Sequence, residues 1–264
     1  MLGFLIALVT TPAGVSGAVL LLPVQVSVLR VSTLAVTPTN LVFNVFAVPG
    51  GLVRFWREGR LLSPLGGLLI AGTLPGVVIG AIIRVEYLGG AHAFMLIAAG
   101  VLLPLGLWLL LGSQRIPRAR PEAGRWGRRL ISLLALAVGV IGGIYGIGGG
   151  SLLAPALIGS GFSAFEVAPA TLLATFVTSI VGISAFEVLQ AAHGGSVAPD
   201  WALGIAMGVG GFAGSYAGAR LQSRLPERSL RRLLGVIGCL VAARYIQTAF
   251  EPAPRPVPAH AASR

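Results

Sequence analysis

Two glycine-rich interruptions break long apolar stretches of this chain, in matching places of its two halves. The first begins at Gly14 and reads GVSGA, and the second begins 132 residues later at Gly146 and reads GIGGGS. In both copies a proline, Pro23 or Pro155, follows the first glycine by nine residues. Unpaired backbone groups are costly in lipid, so non-helical backbone there is buried in protein or lines a cavity. Paired breaks of this kind predict a transport site between two related halves.

The composition places the chain among the integral membrane proteins. Hydrophobic residues make up 55% of the 264 residues and charged residues 10%, and the mean hydropathy is +0.90. Soluble domains carry about 25% charged residues. The net charge is +11, and all 19 basic residues are arginine. In a membrane protein this excess is explained by cytoplasmic loops that face anionic lipid, so we expect lipid and no nucleic acid as a partner.

Apolar runs of about 20 residues or more, long enough to cross a bilayer, fall into two similar sets. Each set has one long broken run followed by three ordinary spans. We predict an all-α polytopic membrane protein with two four-segment repeats, 1–111 and 130–249. An arginine-rich cytoplasmic linker, 112–129, joins them, and a disordered tail, 250–264, follows. The apolar runs are 2–29, 35–53, 64–83, 91–111, 130–158, 167–190, 200–220 and 229–249.

The arginines predict opposite orientations for the two halves. Loop 54–60 holds three arginines and its counterpart 191–199 holds none, whereas loop 84–92 holds one and its counterpart 220–232 holds five. Under the positive-inside rule, loops 54–60 and 220–232 and the linker are cytoplasmic, and the other two loops are outside. An odd number of crossings then separates the linker from loop 191–199, although two predicted helices lie between them.

We therefore predict that each broken run is a re-entrant helical hairpin, folded at its glycines near mid-bilayer. The halves then have inverted topology, with both termini outside. The alternative is that residues 2–29 and 130–158 each form one tilted span of about 42 Å, which gives eight crossings and parallel halves. That alternative leaves the five arginines of loop 220–232 outside.

The glycine breaks are the candidate binding site for a small anion. The first amides of a helix have no intrahelical partner and carry the positive end of its dipole. Glycines let a ligand approach these amides closely, successive amides form anion-binding nests, and serine hydroxyls add donors. We expect the anion to be held without a buried arginine. The four-residue spacing of Gly142, Gly146 and Gly150 leaves helix packing as the alternative. The candidates are Gly14, Ser16, Gly17, Gly146, Gly148, Gly149, Gly150 and Ser151.

The span after each break carries polar side chains in apolar surroundings. Asn40 and Asn44 lie one helical turn apart in the first half, and Thr171 and Thr175 lie one turn apart in the second. Polar groups within a span usually face the protein interior or a cavity, although a threonine can also bond only its own helix. We expect these four side chains to flank the anion. Glu187, near the outer end of its span, is a candidate for proton coupling or a simple interfacial residue.

Several other classes of site are excluded by the residues present. GIGGGS has no following lysine and is not a P-loop, and its glycines do not fit the dinucleotide-binding pattern. Cys239 is the only cysteine, which excludes an intrachain disulfide and a cysteine metal cluster. The predicted spans hold no paired acids, Ser–His pair or metal-ligand set. We therefore expect no enzymatic activity, no metal and no cofactor.

The doubled motif resembles the TauE/SafE (TSUP) family of sulfite exporters. The second half carries it as GGIYGIGGGSLLAPAL, VAPATLLATFVTSIVG and AAHGGSV. The first half departs from it at Val15-Ser16-Gly17 and Thr39-Asn40, where the family has a glycine triplet and a Thr-Ser pair. The resemblance implies a multi-pass permease of the cytoplasmic (inner) membrane. It also implies a small sulfur-containing anion as substrate, such as sulfite, an organosulfonate or thiosulfate.

We predict a secondary transporter in which one half rocks against the other around the bound anion. The alternatives are an anion channel, a carrier of a non-sulfur organic anion, and a scaffold subunit. A homodimer and coupling to protons are further expectations that the sequence leaves open.

Overall fold

The computed structural model describes residues 1–27, 33–88, 127–193 and 197–250, together with 96, 99–100, 103–104, 106–107 and 110–111. Every regular element that runs through the four long ranges is a helix. The predicted span 91–111, the linker 112–129 and the tail 250–264 lie mostly outside the described residues.

Nine α-helices form within the described ranges. Five of them, α3, α4, α5, α7 and α8, are long and apolar enough to cross a membrane, so the chain is an all-α, multi-pass membrane protein. A 3-10 turn, Thr11–Ala13, continues the first helix. The helices are α1 (Leu2–Thr10), α2 (Ala18–Ser27), α3 (Thr33–Arg57), α4 (Pro64–Glu86), α5 (Arg128–Tyr145), α6 (Leu153–Gly159), α7 (Ala164–His193), α8 (Trp201–Gln222) and α9 (Glu227–Phe250).

Both long apolar runs leave the helical conformation at a glycine. The 3-10 turn after α1 ends at Gly14 with φ 75°, and α5 ends at Gly146 with φ 68°. These left-handed conformations favour glycine because it has no Cβ. A Cβ at Gly146 would also lie 2.1 Å from the carbonyl oxygen of Thr37 in α3. Glycine is therefore required at Gly146 both by the backbone conformation and by the lack of space.

The segments around the two breaks differ in length. Helices α1 and α2 have 9 and 10 residues. At about 1.5 Å per residue, each is about half as long as the ~30 Å hydrocarbon core. Helix α5 has 18 residues and α6 has 7. The second run is therefore divided unequally, because the helix before its break is more than twice as long as the helix after it.

Close contacts at glycines define the relative directions of the long helices. Gly204, near the start of α8, lies against Thr39, and Gly50, near the end of α3, lies against Phe212. Helices α3 and α8 therefore run parallel. The same reasoning makes α4 parallel to α7, α4 parallel to α5, and α1 parallel to α8. The contacts are, in that order, Gly66–Ala170 and Gly182–Val77, Gly72–Ser132 and Gly80–Ile144, and Gly3–Met207 and Gly218–Leu8.

Helices α3 and α7 cross in opposite directions. Leu41 lies against Gly182, whereas Gly51, further along α3, lies against Leu172, earlier in α7. Between these contacts the Asn44 amide donates to Ser179 Oγ at 3.2 Å. Asn44 is the twelfth of 25 residues in α3, and Ser179 is the sixteenth of 30 in α7. A polar contact thus lies at mid-length of both helices, in the centre of the bundle.

Arginines collect at one end of the bundle, which we call the arginine end. Arg57, the last residue of α3, donates to the Tyr216 hydroxyl at 3.4 Å. Arg60 donates to Gln222 Oε1 at 3.1 Å, and it also donates to the carbonyl oxygen of Phe165. The α3–α4 loop, the start of α7 and the end of α8 therefore lie together. The parallel packing of α4 and α5 places the two arginines that begin α5 at this end as well.

Candidate functional site

The two glycine breaks meet at the centre of the bundle. The Ser16 amide of the first break donates to Ser151 Oγ of the second at 3.2 Å. Asn44 joins three segments: it accepts from the Ser16 hydroxyl and donates to the Gly146 carbonyl at 3.4 Å and to Ser179 Oγ. All five residues are buried. The structure thus brings predicted site residues from both halves into one polar cluster.

Helix α7 presents hydroxyl groups to both breaks. Thr171 Oγ1 donates to the Gly14 carbonyl at 2.9 Å, and Thr178 Oγ1 accepts from the Gly149 amide at 3.0 Å. Threonine hydroxyls often bond only their own helix. Both hydroxyls also donate to carbonyl groups of their own helix, and each bonds in addition to a backbone group of a break. Thr178 therefore also contacts the second break, although only its neighbours Thr171 and Thr175 were predicted to lie at the site.

Two buried side chains beside these contacts have polar atoms without a hydrogen-bond partner in the described structure. They are Thr175, through Oγ1, and Asn40, through both Nδ2 and Oδ1. Asn40 lies between Thr37 and Asn44 on the face of α3 that meets the second break, because Thr37 donates to a carbonyl in the last turn of α5. Leaving a buried polar group unpaired costs about 1–3 kcal/mol. These groups are therefore suited to bind a polar ligand.

The remaining predicted glycines differ in their surroundings. Gly148, with φ 73°, and Gly150 both pack against Thr175, and a Cβ at Gly150 would lie 2.7 Å from its hydroxyl. Gly17 packs against the apolar side chains of Ile6 and Phe43. The second break therefore approaches the unpaired hydroxyl closely, whereas Gly17 serves apolar packing.

Four backbone amides of the first break already have acceptors. The amides of Gly14, Val15, Ser16 and Ala18 each donate to an oxygen of the protein, at 2.9 to 3.3 Å. An anion has to displace these bonds before it reaches those amides. By contrast, the side chains of Asn40 and Thr175, close to the second break, have polar atoms that can form hydrogen bonds without displacing others.

Arg84 is a buried residue that sequence reasoning placed in an outer loop. Helix α4 continues to Glu86, so Arg84 lies in its last turn, with no exposed surface. Its Nε donates to Thr37 Oγ1 at 3.3 Å, and its Nη1 donates to the Leu88 carbonyl. The placement of Arg84 in the loop after this span is therefore wrong, because the helix continues past it. By contrast Glu187, considered for proton coupling, is exposed on α7.

Comparison with known proteins identifies the family. Residues 1–245 match the family described as Sulfite exporter TauE/SafE. Comparison with curated proteins finds no match. The family match includes both glycine breaks and the five membrane-length helices, and it confirms the resemblance noted from the second-half motif. The chain therefore belongs to the TauE/SafE sulfite exporter family, a family of sulfur-anion permeases.

Proposed function

We propose that the protein is a secondary transporter of a small sulfur-containing anion, bound at the centre of the bundle between the two glycine breaks. Sulfite is the anion that the family description names, and we keep an organosulfonate and thiosulfate as further candidates. The observation that carries the proposal is the pair of unpaired polar side chains, Asn40 and Thr175, buried beside contacts that join both breaks. The cytoplasmic membrane is the proposed location.

Neutral donors are enough to hold such an anion. Sulfite, sulfonate and thiosulfate present several acceptor atoms, which match the Asn40 amide, the Thr175 hydroxyl and the amides of the second break. Hydrogen bonds to a charged group are worth about 1.5–3 kcal/mol each, and they are stronger in a buried site than in water. The same site, built without a fixed positive charge, can release the anion on the other side of the membrane.

The directions of the helices support two inverted halves. Under the proposed repeat, with halves 1–111 and 130–249, α3 corresponds to α7 and α4 to α8. The antiparallel crossing of α3 and α7 is what a two-fold axis in the membrane plane produces. The same two-fold operation exchanges the pair α4–α5 with the pair α8–α1. It also exchanges the pair α3–α8 with the pair α7–α4. The two helices within each of these four pairs run parallel. We propose that residues 112–129 link these halves.

The same directions support re-entrant hairpins. Helices α1 and α3 both run parallel to α8, so the chain between them has to return to the end where α1 begins. We call the segment from α1 to α2 hairpin 1. Helices α5 and α7 both run parallel to α4, so the segment from α5 to α6, hairpin 2, returns in the same way.

Each proposed hairpin passes the centre before it turns. Gly14 lies against Ala168 and Thr171, near the start of α7 at the arginine end, and Gly146 lies against Thr37, near the start of α3 at the opposite end. We call the turning glycine and its neighbours the tip of each hairpin. Each tip thus closes one end of the proposed transport path. Displacement of one tip at a time opens the central site to one side only, which is alternating access. The positive-inside rule makes the arginine end cytoplasmic.

Binding to the purified, full-length protein tests the central site. A substrate present at a hundredfold excess over its dissociation constant stabilises a protein by about 2.7 kcal/mol. We expect sulfite, thiosulfate or a sulfonate to raise the melting temperature, and carboxylates to have less effect. Thr175→Val, which keeps the shape and removes the hydroxyl, is expected to weaken sulfur-anion binding about tenfold because one charge-assisted hydrogen bond is lost.

Thr178→Val is the matched control, one turn further along α7. Its hydroxyl already accepts from the Gly149 amide, so its loss is expected to lower the melting temperature before any anion is added. If Thr175→Val binds sulfite as the wild type does, the central site is refuted. Stabilisation by carboxylates alone would instead favour a non-sulfur carrier. Saturable counterflow of labelled anion in proteoliposomes distinguishes a carrier from a channel.

A further inference from the structure

Helices α4 and α8 share a glycine register at an offset of 138 residues. In α4 these glycines meet the backbone of α5, and in α8 they meet the backbone of α1. The shared register and the shared packing both align Arg84 of α4 with Gln222 of α8, and both side chains are fully buried. The paired glycines are Gly72 and Gly210, Gly76 and Gly214, and Gly80 and Gly218.

Both side chains take part in hydrogen bonds that connect the tip of a hairpin to neighbouring helices. Gln222 Nε2 donates to the Pro12 carbonyl at 2.7 Å and to the carbonyl of the first residue of α7 at 3.1 Å. Arg84 Nε donates to Thr37 Oγ1, and that hydroxyl donates to the Ile144 carbonyl at 3.0 Å. Pro12 and Ile144 are equivalent, because each precedes the turning glycine of its hairpin by two residues.

The neutral side chain of Gln222 shows that closing a tip does not need a charge. A guanidinium without surface exposure carries a large desolvation cost, and charged groups inside membrane-spanning regions are usually functional. The guanidinium also offers a planar fork of donors that binds two oxygens of an oxyanion at once. A neutral side chain is thus enough to hold a hairpin, as at Gln222, whereas Arg84 also brings a charge and this fork of donors to its end of the bundle.

A line of polar side chains leads from Arg84 to the centre of the bundle. Thr37, which Arg84 contacts, shares one face of α3 with Asn40 and Asn44. Spacings of three and four residues correspond to about 4.5 and 6 Å along the helix axis. Asn40, the unpaired amide of the proposed central site, lies between the other two. This face of α3 therefore connects the proposed central site with Arg84.

We propose that Arg84 forms a second anion-binding position, at the end of the transport path opposite to the arginine end. It binds the sulfur oxyanion when the tip of hairpin 2 moves away from Thr37, while Gln222 closes the other end without binding the anion. This inference rests on the proposed function of the central site. It makes the two ends of the transporter unequal, since among the described residues Arg84 is the fully buried cation and it lies at one end.

Transport of labelled sulfite into proteoliposomes by the full-length protein tests this position. Arg84→Gln gives the two ends the same side chain. We expect it to raise the KM for sulfite about tenfold, with a smaller change in the maximal rate, because a charge-assisted bond to the anion is lost and a neutral one remains. Arg84→Lys, which retains the charge but not the fork, is expected to restore part of the affinity.

Gln222→Leu is the matched variant at the arginine end. It removes the bonds that fasten hairpin 1, so it is expected to change the maximal rate while leaving the KM for sulfite near the wild-type value. An unchanged KM in Arg84→Gln, with a loss of melting temperature like that of Gln222→Leu, would show that Arg84 is only structural. If Arg84→Gln does not fold, an unchanged KM in Arg84→Lys overturns the inference. Failure of the wild-type protein to bind or transport sulfur anions refutes the proposed function instead.

Discussion

At the scale of single residues, two asparagines on one face of α3 have opposite surroundings. Asn44 bonds to Ser16, Gly146 and Ser179, and so joins both breaks to α7. Asn40, one turn earlier, is equally buried but has no partner in the described structure. An amide in a membrane-spanning helix is costly in either case. The first amide is therefore explained by its contacts, and we propose that the second binds the substrate.

This difference predicts opposite results for two alanine variants. Asn44→Ala leaves buried partners unsatisfied and is expected to cost about 2–3 kcal/mol of stability, at about 1–3 kcal/mol for each unpaired group. Asn40→Ala removes an unpaired amide, so we expect a change below about 1 kcal/mol together with about tenfold weaker sulfite binding. Thermal unfolding of the purified protein, with and without sulfite, measures both effects. Equal destabilisation by the two variants would contradict this assignment.

At the scale of helices, glycine has two separate functions. At Gly146 it permits a left-handed turn that ends α5. Along α4 and α5 it permits close packing: a Cβ at Gly143 would lie 2.4 Å from the Val77 carbonyl oxygen, and one at Gly80 would lie 2.2 Å from the Val140 carbonyl oxygen. Such approaches are typical of helix pairs in membranes, where small residues let backbones meet. Hairpin 2 is therefore held against α4 through backbone contacts.

Gly143→Ala tests this packing. The added methyl group forces α4 and α5 apart, and overpacking of this kind costs about 1–3 kcal/mol. Gly67→Ala is the control on α4, because a Cβ there meets nothing within 4 Å. Alanine is favoured over glycine in a helix by about 0.5–1 kcal/mol, so this change is expected to stabilise the protein slightly. Melting temperatures of the two variants are compared; a tolerated Gly143→Ala would mean that the helices are not closely packed.

At the scale of the whole molecule, the arginine end and the antiparallel crossing of α3 and α7 both bear on whether the two halves are inverted or parallel. Arg57 at the end of α3 and Arg60 in the loop that follows contact the last part of α8, so the ends of helices from both proposed halves, and the loops that follow them, lie at one end. Parallel halves with eight crossings would place these loops on opposite sides of the membrane. The geometry therefore favours the inverted arrangement, in which each hairpin closes the end opposite to the one it enters from.

Single cysteines test the orientation. In a Cys239→Ala background, Leu62→Cys and Ser223→Cys lie in exposed loops at the arginine end, and Ala198→Cys is exposed between α7 and α8. We expect a membrane-impermeant maleimide to label the first two only from the cytoplasm and the third only from the other side, as inverted halves require. Labelling of residues 62 and 198 from one side, and of residue 223 from the other, would support parallel halves.

The sequence by itself determined the class of this protein, its family and the identity of its polar residues. Lipid cannot hydrogen-bond the backbone, so long apolar runs have to be helices, and the two glycine-rich motifs mark the places where two of these runs are interrupted. Helical spacing also placed Thr171 and Thr175 on one face of α7. In the structure this face meets the breaks, since Thr171 bonds to Gly14 and Gly150 packs against both threonines. These are local properties, which follow from residues a few positions apart.

Only the tertiary structure decided which polar groups are paired. Ser16 and Ser151 are 135 residues apart in sequence, and so are Asn44 and Ser179. Helical periodicity tells which face a side chain shares, but not which distant helix packs against that face. For the same reason the burial of Arg84, the contact of Thr178 with Gly149 and the unpaired state of Asn40 could not be read from the sequence. They depend on how α3, α4 and α7 pack around two breaks from different halves of the chain.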